Sequence, residues 1–295
     1  MATQLNIFGN DQSGLQHDKL VNIASIPLRS PFRYPGGKTW LIPTVRAWLK
    51  QQQNGKELIE PFAGGGIVSL TAAFEKLVDR ITMVELDEEI AAVWEVILRG
   101  NNQWLANKIR NFDLTLENVT KELKNPSNDL HDIAFRTILK NRILHGGIIA
   151  KGSGIIKNGE NGKGMASRWY PTTLMNRITA INLVKNKIDF IRGDAFEIIE
   201  KNLNVEDCFF FLDPPYTVAG KRLYTYFNVD HEKLFSLAAQ IKGKFMLTYD
   251  DTSEIRSLAN KYNLPYVHIP MKTTHHIEKN EIIISDNFNW LPNNN

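Results

Sequence analysis

Apolar residues in this chain follow two rhythms. Short continuous runs at 57–59, 81–84, 189–191, 209–212, 245–248, 266–269 and 281–285 read as strands, being too short for helices and rich in Ile, Val and Phe. Elsewhere the spacing is helical. Ile67, Leu70, Phe74 and Leu77 recur at intervals of three and four, Ile90, Trp94, Ile97 and Leu98 do the same, and a third helix runs over about 130–145 with Ile138, Leu139 and Ile143 inward. A further helix carries Leu41 and Val45, and another precedes Tyr266. Strand, glycine turn, helix, strand and acid follow one another from Glu57 to Glu85, a βαβ unit with a parallel pair, so the chain is an α/β protein. No repeat is present.

Composition adds bounds. The chain has 295 residues, 43% hydrophobic and 23% charged, enough for one large domain or one with an insertion. The total charge of +3 argues for no particular partner, but its distribution does. Between Arg136 and Lys187 there are ten Lys/Arg against the single acid Glu160, and seven glycines fall between Gly146 and Gly164. This is a basic segment with glycine-rich loops set into an otherwise mildly acidic core. Residues 1–30 are polar and aromatic-poor, and read as a loose arm. The lone Cys208 excludes a disulfide framework and a thiolate metal site, and no metal is expected. His275 and His276 lack ligand-spaced acids and read as surface residues. No stretch approaches the ~20 apolar residues of a membrane span, so a soluble, cytoplasmic protein is expected.

Three stretches carry chemistry. In Glu60-Pro61-Phe62-Ala63-Gly64-Gly65-Gly66 the glycines let backbone approach a ligand, and the helix behind them offers free N–H groups. The spacing fits neither G-x-G-x-x-G nor the Walker pattern. Glu85, ~20 residues on at the end of the next strand, suits a ribose, leaving Asp87 to cap the following helix. Gly36-Gly37, between Tyr34 and Lys38, form a second glycine turn. The third stretch is Phe209–Leu212 followed by Asp213-Pro214-Pro215-Tyr216, where a buried strand is stopped by prolines that bring no N–H to the ladder.

The stretches PFRYPGGK, EPFAGGG, VELDEE, GDAFE, FLDPPY and NEIIIS occur in the order found in the D12 (Dam-like) class of DNA adenine-N6 methyltransferases, which residues 31–285 resemble. Members are mostly restriction–modification, prophage or Dam-type methylases. The resemblance implies a Rossmann-like S-adenosylmethionine-dependent methyltransferase fold, a mixed, mostly parallel sheet with helices on both faces. It also implies a division into a core at 31–100 and 186–290 and an inserted target-recognition subdomain at 101–185. The implied cofactor is S-adenosylmethionine, leaving as S-adenosylhomocysteine. Its implied contacts are Tyr34, Gly36, Gly37, Lys38, Glu60, Pro61, Phe62, Gly64, Glu85 (often Asp in relatives), Leu86, Asp194, Ala195 and Asp213.

Asp213, Pro214 and Tyr216 resemble the catalytic set. An exocyclic amine conjugated to adenine is a poor nucleophile; the Asp213 carboxylate and Pro214 carbonyl can draw its hydrogens and localise the lone pair, the prolines fixing that carbonyl in advance. Tyr216 would stack on a base flipped from the duplex. The implied partner is double-stranded DNA, bound by a monomer, with a transient dimer on DNA as the alternative. Arg136, Lys140, Arg142, Lys151, Lys157, Lys163 and Arg168 are candidate phosphate contacts, Trp169 a wedge or part of the insert's core, and Arg222 and Tyr224 candidate strand contacts. Cytosine-C5 chemistry needs a thiolate, and Cys208 lies ~17 Å of strand away from Asp213. N4-cytosine methylation and an inactive DNA-binding relative remain the competing readings; RNA or protein-glutamine methylation is disfavoured because Asn commonly replaces this Asp there and the insert is basic.

Overall fold

The structure is a computed structural model, and it describes residues 25–33, 36–50, 56–150, 152–216, 226, 228–272 and 278–291. Tyr34, Lys151, Arg222, Tyr224, His275, His276 and the arm at 1–24 lie outside the described residues.

Seven strands form one sheet: β1 (Glu57–Glu60), β2 (Arg80–Glu85), β3 (Ile188–Arg192), β4 (Cys208–Leu212), β5 (Lys244–Asp250), β6 (Tyr266–Lys272) and β7 (Glu278–Ser285). The order is β3-β2-β1-β4-β5-β7-β6. The five strands from β3 to β5 are parallel, and β7 runs antiparallel between β5 and β6. The connection direction reverses between β1 and β4, so their carboxyl ends open a crevice at that point, where open α/β sheets place ligands. Glu60 and Asp213 stand at those two ends.

Helices cover both faces. α1 (Ile42–Leu49), α2 (Ile67–Phe74) and α3 (Glu88–Leu98) pack on one, and α8 (Ala195–Asn202), α9 (His231–Ala238) and α10 (Ser253–Lys261) on the other. The β4 run alternates between them: Phe209 and Phe211 join the first core, Phe210 and Leu212 the second. Burial on both sides is why this strand reads as unbroken Phe and Leu rather than as alternation. Trp48 of α1 meets Phe209 edge-on, with ring centroids 5.0 Å apart.

All seven expected strands are present; the differences lie at element ends. α2 stops at Phe74, so Leu77 packs from the following turn and not from the helix. The helix expected to reach His145 ends at Ile143 (α6, Leu130–Ile143), where Leu144 turns extended (φ −88°, ψ 152°) and Gly146 and Gly147 follow with positive φ of 70° and 75°. The end of the arm is not loose: Ile26 is buried, Arg29 pairs with Glu75 at 3.6 Å, and Ser30 Oγ donates to Gly65 O.

The segment at 101–185 contains α4 (Asn102–Asn111), α5 (Leu116–Leu123), α6 and α7 (Pro171–Ile181). Leu105, Ile109, Phe135, Ile138 and Ile178 share one core with Ile90, Trp94 and Ile97 of α3. It is therefore welded to the sheet's helical layer through continuous apolar contact. Trp169 belongs to that core, 6.0 Å from Phe112.

Candidate active site

The glycine turn after β1 is held from three sides. Ala63 N–H donates to Val84 O at 2.9 Å, Gly64 N–H to Glu85 Oε2 at 2.9 Å, and Trp94 Nε1 to Gly64 O at 2.9 Å. Gly66 must be glycine: its φ is +61°, and a Cβ there would lie 2.7 Å from Met83 Cε and 2.8 Å from Trp94 Cζ2. Glu85 takes a second backbone bond from Asp87 N–H at 2.9 Å, while Asp87 caps α3 through Glu89 and Ile90 N–H, the capping role expected of it.

Glu60 is buried and accepts from both the N–H and the hydroxyl of Ser69. Burial pushes its carboxyl up to about 8, against those hydrogen bonds, with the Asp213 and Glu85 charges adding to the rise. Glu85 is likewise pushed up to about 7, by burial first, opposed by its backbone bonds.

These groups face a cavity of about 650 Å³. Gly37, Lys38, Glu60, Pro61, Phe62, Gly64, Glu85, Leu86, Asp194, Ala195 and Asp213, all expected cofactor contacts, line it. Gly36 and Pro214 are not among the lining residues; Gly36 contributes its carbonyl to Lys38 Nζ at 2.9 Å. Asp194 also caps α8 through Phe196 N–H at 2.8 Å. A concave space of this size, edged by carboxylates and a glycine turn that admits no side chain, fits a cationic nucleoside cofactor. Its other wall is basic. Arg33, Arg142, Arg168 and Arg177 line it with Tyr170, and burial plus its three arginine neighbours pulls Arg142 down to about 10.

Asp213 projects from the end of β4. Its Oδ1 lies 2.9 Å from Lys38 Nζ and accepts the Thr248 hydroxyl of β5 at 2.7 Å. Lys38, 3% exposed, also donates to Tyr216 Oη at 2.6 Å, and Tyr216 donates to Glu281 Oε2 at 3.1 Å. Burial and the surrounding carboxylates push the Tyr216 hydroxyl well above its ordinary value, so it is a neutral phenol. Its ring tilts against Tyr249 at 5.9 Å. Lys38 therefore sits on Asp213 and Tyr216 at the edge of the cavity it lines.

Thr248, Glu281 and Phe196 escaped the sequence reading. The signals were present as a polar residue inside the β5 run, an acid opening the apolar NEIIIS, and an aromatic two residues after Asp194. Of the expected DNA contacts, Arg136 donates to Asn125 O and Ser127 O, Lys140 pairs with Glu89, and the buried Arg142 donates to Pro31 O. These three are partnered inside the chain, as Trp169 is, whereas Lys157 and Lys163 are exposed.

Comparison with known proteins bears on the same residues. The chain is 23% identical over 259 residues to the Type II methyltransferase M.MjaIII of Methanocaldococcus jannaschii, covering 80% of this chain and 86% of that protein. Among solved structures it is similar to a putative RNA methyltransferase, PH1948, of Pyrococcus horikoshii, with a TM-score of 0.39, 12% identity, and coverage of 86% of this chain and 84% of that one. It is also similar to a SAM-dependent methyltransferase of Agrobacterium tumefaciens, with a TM-score of 0.41, 8% identity, and coverage of 84% and 61%. Those scores are low, and the fold assignment rests on the strand order and the two helical faces. The family model for D12 class N6 adenine-specific DNA methyltransferases matches residues 34–273, a span that takes in the glycine turn, Glu85 and the Asp213 turn, and the chain belongs to that family.

Proposed function

We propose that this protein transfers a methyl group from S-adenosylmethionine to the N6 amine of adenine at specific sites in double-stranded DNA, with the base flipped out of the duplex. The cofactor supplies a methyl group on a sulfonium, activated for direct displacement. Glu85 would hold the ribose, Leu86, Asp194 and Ala195 the adenine end, and the Glu60–Gly66 turn the remainder.

The observation that carries this reading is Asp213 at the sheet's switch point, with Oδ1 engaged by both Lys38 and Thr248. Those two contacts fix the carboxylate before substrate arrives, so little reorganisation is needed when charge develops on the amine. Oδ2 and the Pro214 carbonyl are the acceptors proposed for the two N6 hydrogens. The basic wall and the insert at 101–185 would receive the DNA, with Lys157 and Lys163 on phosphates and Tyr170, 49% exposed, beside the base opening. Of the two readings of Trp169, its burial beside Phe112 supports the core.

The experiment is transfer of labelled methyl from S-adenosylmethionine to duplex DNA, with the modified base identified after digestion. N6-methyladenine is the expected product; N4-methylcytosine, or binding without transfer, would select a competing reading. Asp213→Ala should abolish transfer and leave DNA affinity within a few-fold of the wild type.

A further inference from the structure

Three polar contacts link Asp213 to Glu281 beneath the site, diverging from Lys38, which donates to both Asp213 and Tyr216. Asp213 Oδ1 is 2.9 Å from Lys38 Nζ, Lys38 donates to Tyr216 at 2.6 Å, and Tyr216 donates to Glu281 Oε2 at 3.1 Å. Glu281, on β7, is only 4% exposed. It is not Lys38's main partner, since that ammonium is 4.0 Å from Glu281 and 2.9 Å from Asp213. Asp250, opposite Glu281 in the β5–β7 register, adds another carboxylate. Among the described residues, Lys38, Asp213, Tyr216 and Asp250 are the titratable groups that face Glu281, and they hold more acid than base. Buried negative charge in excess of its cations binds a proton. The Glu281 carboxyl is accordingly pushed up to about 7, by burial first and against the pull of Lys38, so it exchanges a proton near neutrality.

Methylating an amine generates one proton per turnover, which the site must dispose of. We propose that Glu281 is the terminal acceptor of the proton lost by adenine N6, reached from Asp213 through Lys38 and Tyr216. The proposal rests on the reading of Asp213 as the group that meets the N6 amine.

Transfer breaks the sulfur–methyl bond, forms the N6–methyl bond and leaves the positive charge on N6. N6 then gives a proton to the Asp213 carboxylate, which becomes neutral. Lys38, deprived of its anionic partner, passes an ammonium proton to the Tyr216 oxygen as Tyr216 passes its hydroxyl proton to Glu281. The neutral Lys38 amine then takes the proton from Asp213. At the end Asp213 and Lys38 are again an ion pair, Tyr216 is again a phenol, and Glu281 holds the single proton as a carboxylic acid. The bond polarity Lys38→Tyr216→Glu281 is already the one this sequence requires. Glu281 touches neither base nor cofactor; it acts through Tyr216 and Lys38, as a positioning residue.

The test is the single-turnover methylation rate on duplex DNA from about pH 5.5 to 9, for wild type, Glu281→Gln and Tyr216→Phe, with cofactor and DNA affinities measured alongside. Glu281 must be ionised to accept, so the wild-type rate should rise through a limb near 7. In both variants that limb should vanish and the rate at pH 8 fall about 100-fold, the lower end of what a positioned proton acceptor contributes. Both affinities should stay within a few-fold, since Gln still accepts the Tyr216 hydroxyl and Phe keeps the ring. Should Glu281→Gln fail to fold, Tyr216→Phe interrupts the same path without altering the buried acid. Either folded variant retaining the wild-type limb and rate overturns the relay. A wild-type protein that forms no N6-methyladenine would instead overturn the functional reading beneath it.

Discussion

The Thr248 hydroxyl donates to Asp213 Oδ1 at 2.7 Å, joining the end of β4 to its neighbour β5. Thr248 is 1% exposed, so removing the hydroxyl admits no water to replace it. Hydrogen bonds to charged groups contribute about 1.5–3 kcal/mol. Thr248→Val, close in shape, should therefore slow methyl transfer by about 10-fold or more while leaving cofactor affinity near the wild-type value. A matching rise in the cofactor's Kd with an unchanged transfer rate would show that Thr248 shapes the cavity and not the carboxylate.

Glu60 gives the protein an unusual response to pH. Its carboxyl is raised from 4.5 to about 8 in the folded state, so between those values the folded chain holds a proton that the unfolded chain has lost. Stability from this group is fully present below 4.5 and declines as pH rises towards 8. The Tm of the cofactor-free protein should fall between about pH 6 and 8, and Glu60→Gln, which cannot ionise, should flatten that fall. An unchanged slope in the variant would assign the decline to another group.

Most of the fold was legible because the physics that makes it is local. Phe209–Leu212 could be read as a strand because burial on two faces requires an unbroken apolar run, and Gly66 could be read as a turn because only glycine fits there. What escaped was set by pairing across the sheet. Nothing along the chain tells Thr248 that its neighbour strand ends in Asp213, or brings Glu281 to Tyr216, 65 residues away. The basic residues of α6 show the converse. Arg136, Lys140 and Arg142 looked like a nucleic-acid stripe, but helical periodicity cannot reveal that Asn125, Glu89 and Pro31 meet them inside the fold.

That difference predicts where salt dependence arises. Lys157 and Lys163 are exposed in the glycine-rich loops, while Lys140 is paired with Glu89. Each lysine that neutralises a phosphate steepens the fall of log K with log salt by about 0.9. Lys157→Ala and Lys163→Ala should each weaken duplex binding at low salt and flatten that slope by about 1, whereas Lys140→Ala should leave the slope unchanged. A flattened slope for Lys140→Ala would mean that its pair with Glu89 opens on DNA.

Cys208 is the protein's only thiol and starts the strand that ends at Asp213. It is 1% exposed and donates to Val205 O at 3.1 Å. Burial pushes the thiol up to about 12, helped by the charges of Glu57 and Asp207. At pH 8 it is almost wholly protonated, so it is neither a nucleophile nor a ready target for alkylation. Methyl transfer by direct displacement asks nothing of it. Cys208→Ala should keep the wild-type transfer rate at a cost of about 1 kcal/mol or less in stability. Iodoacetamide should leave the native protein active and modify Cys208 only after denaturation. Inactivation of the folded protein at a rate set by Cys208 would mean that the strand opens to solvent during turnover, contrary to the rigid mount that the alternating β4 phenylalanines provide.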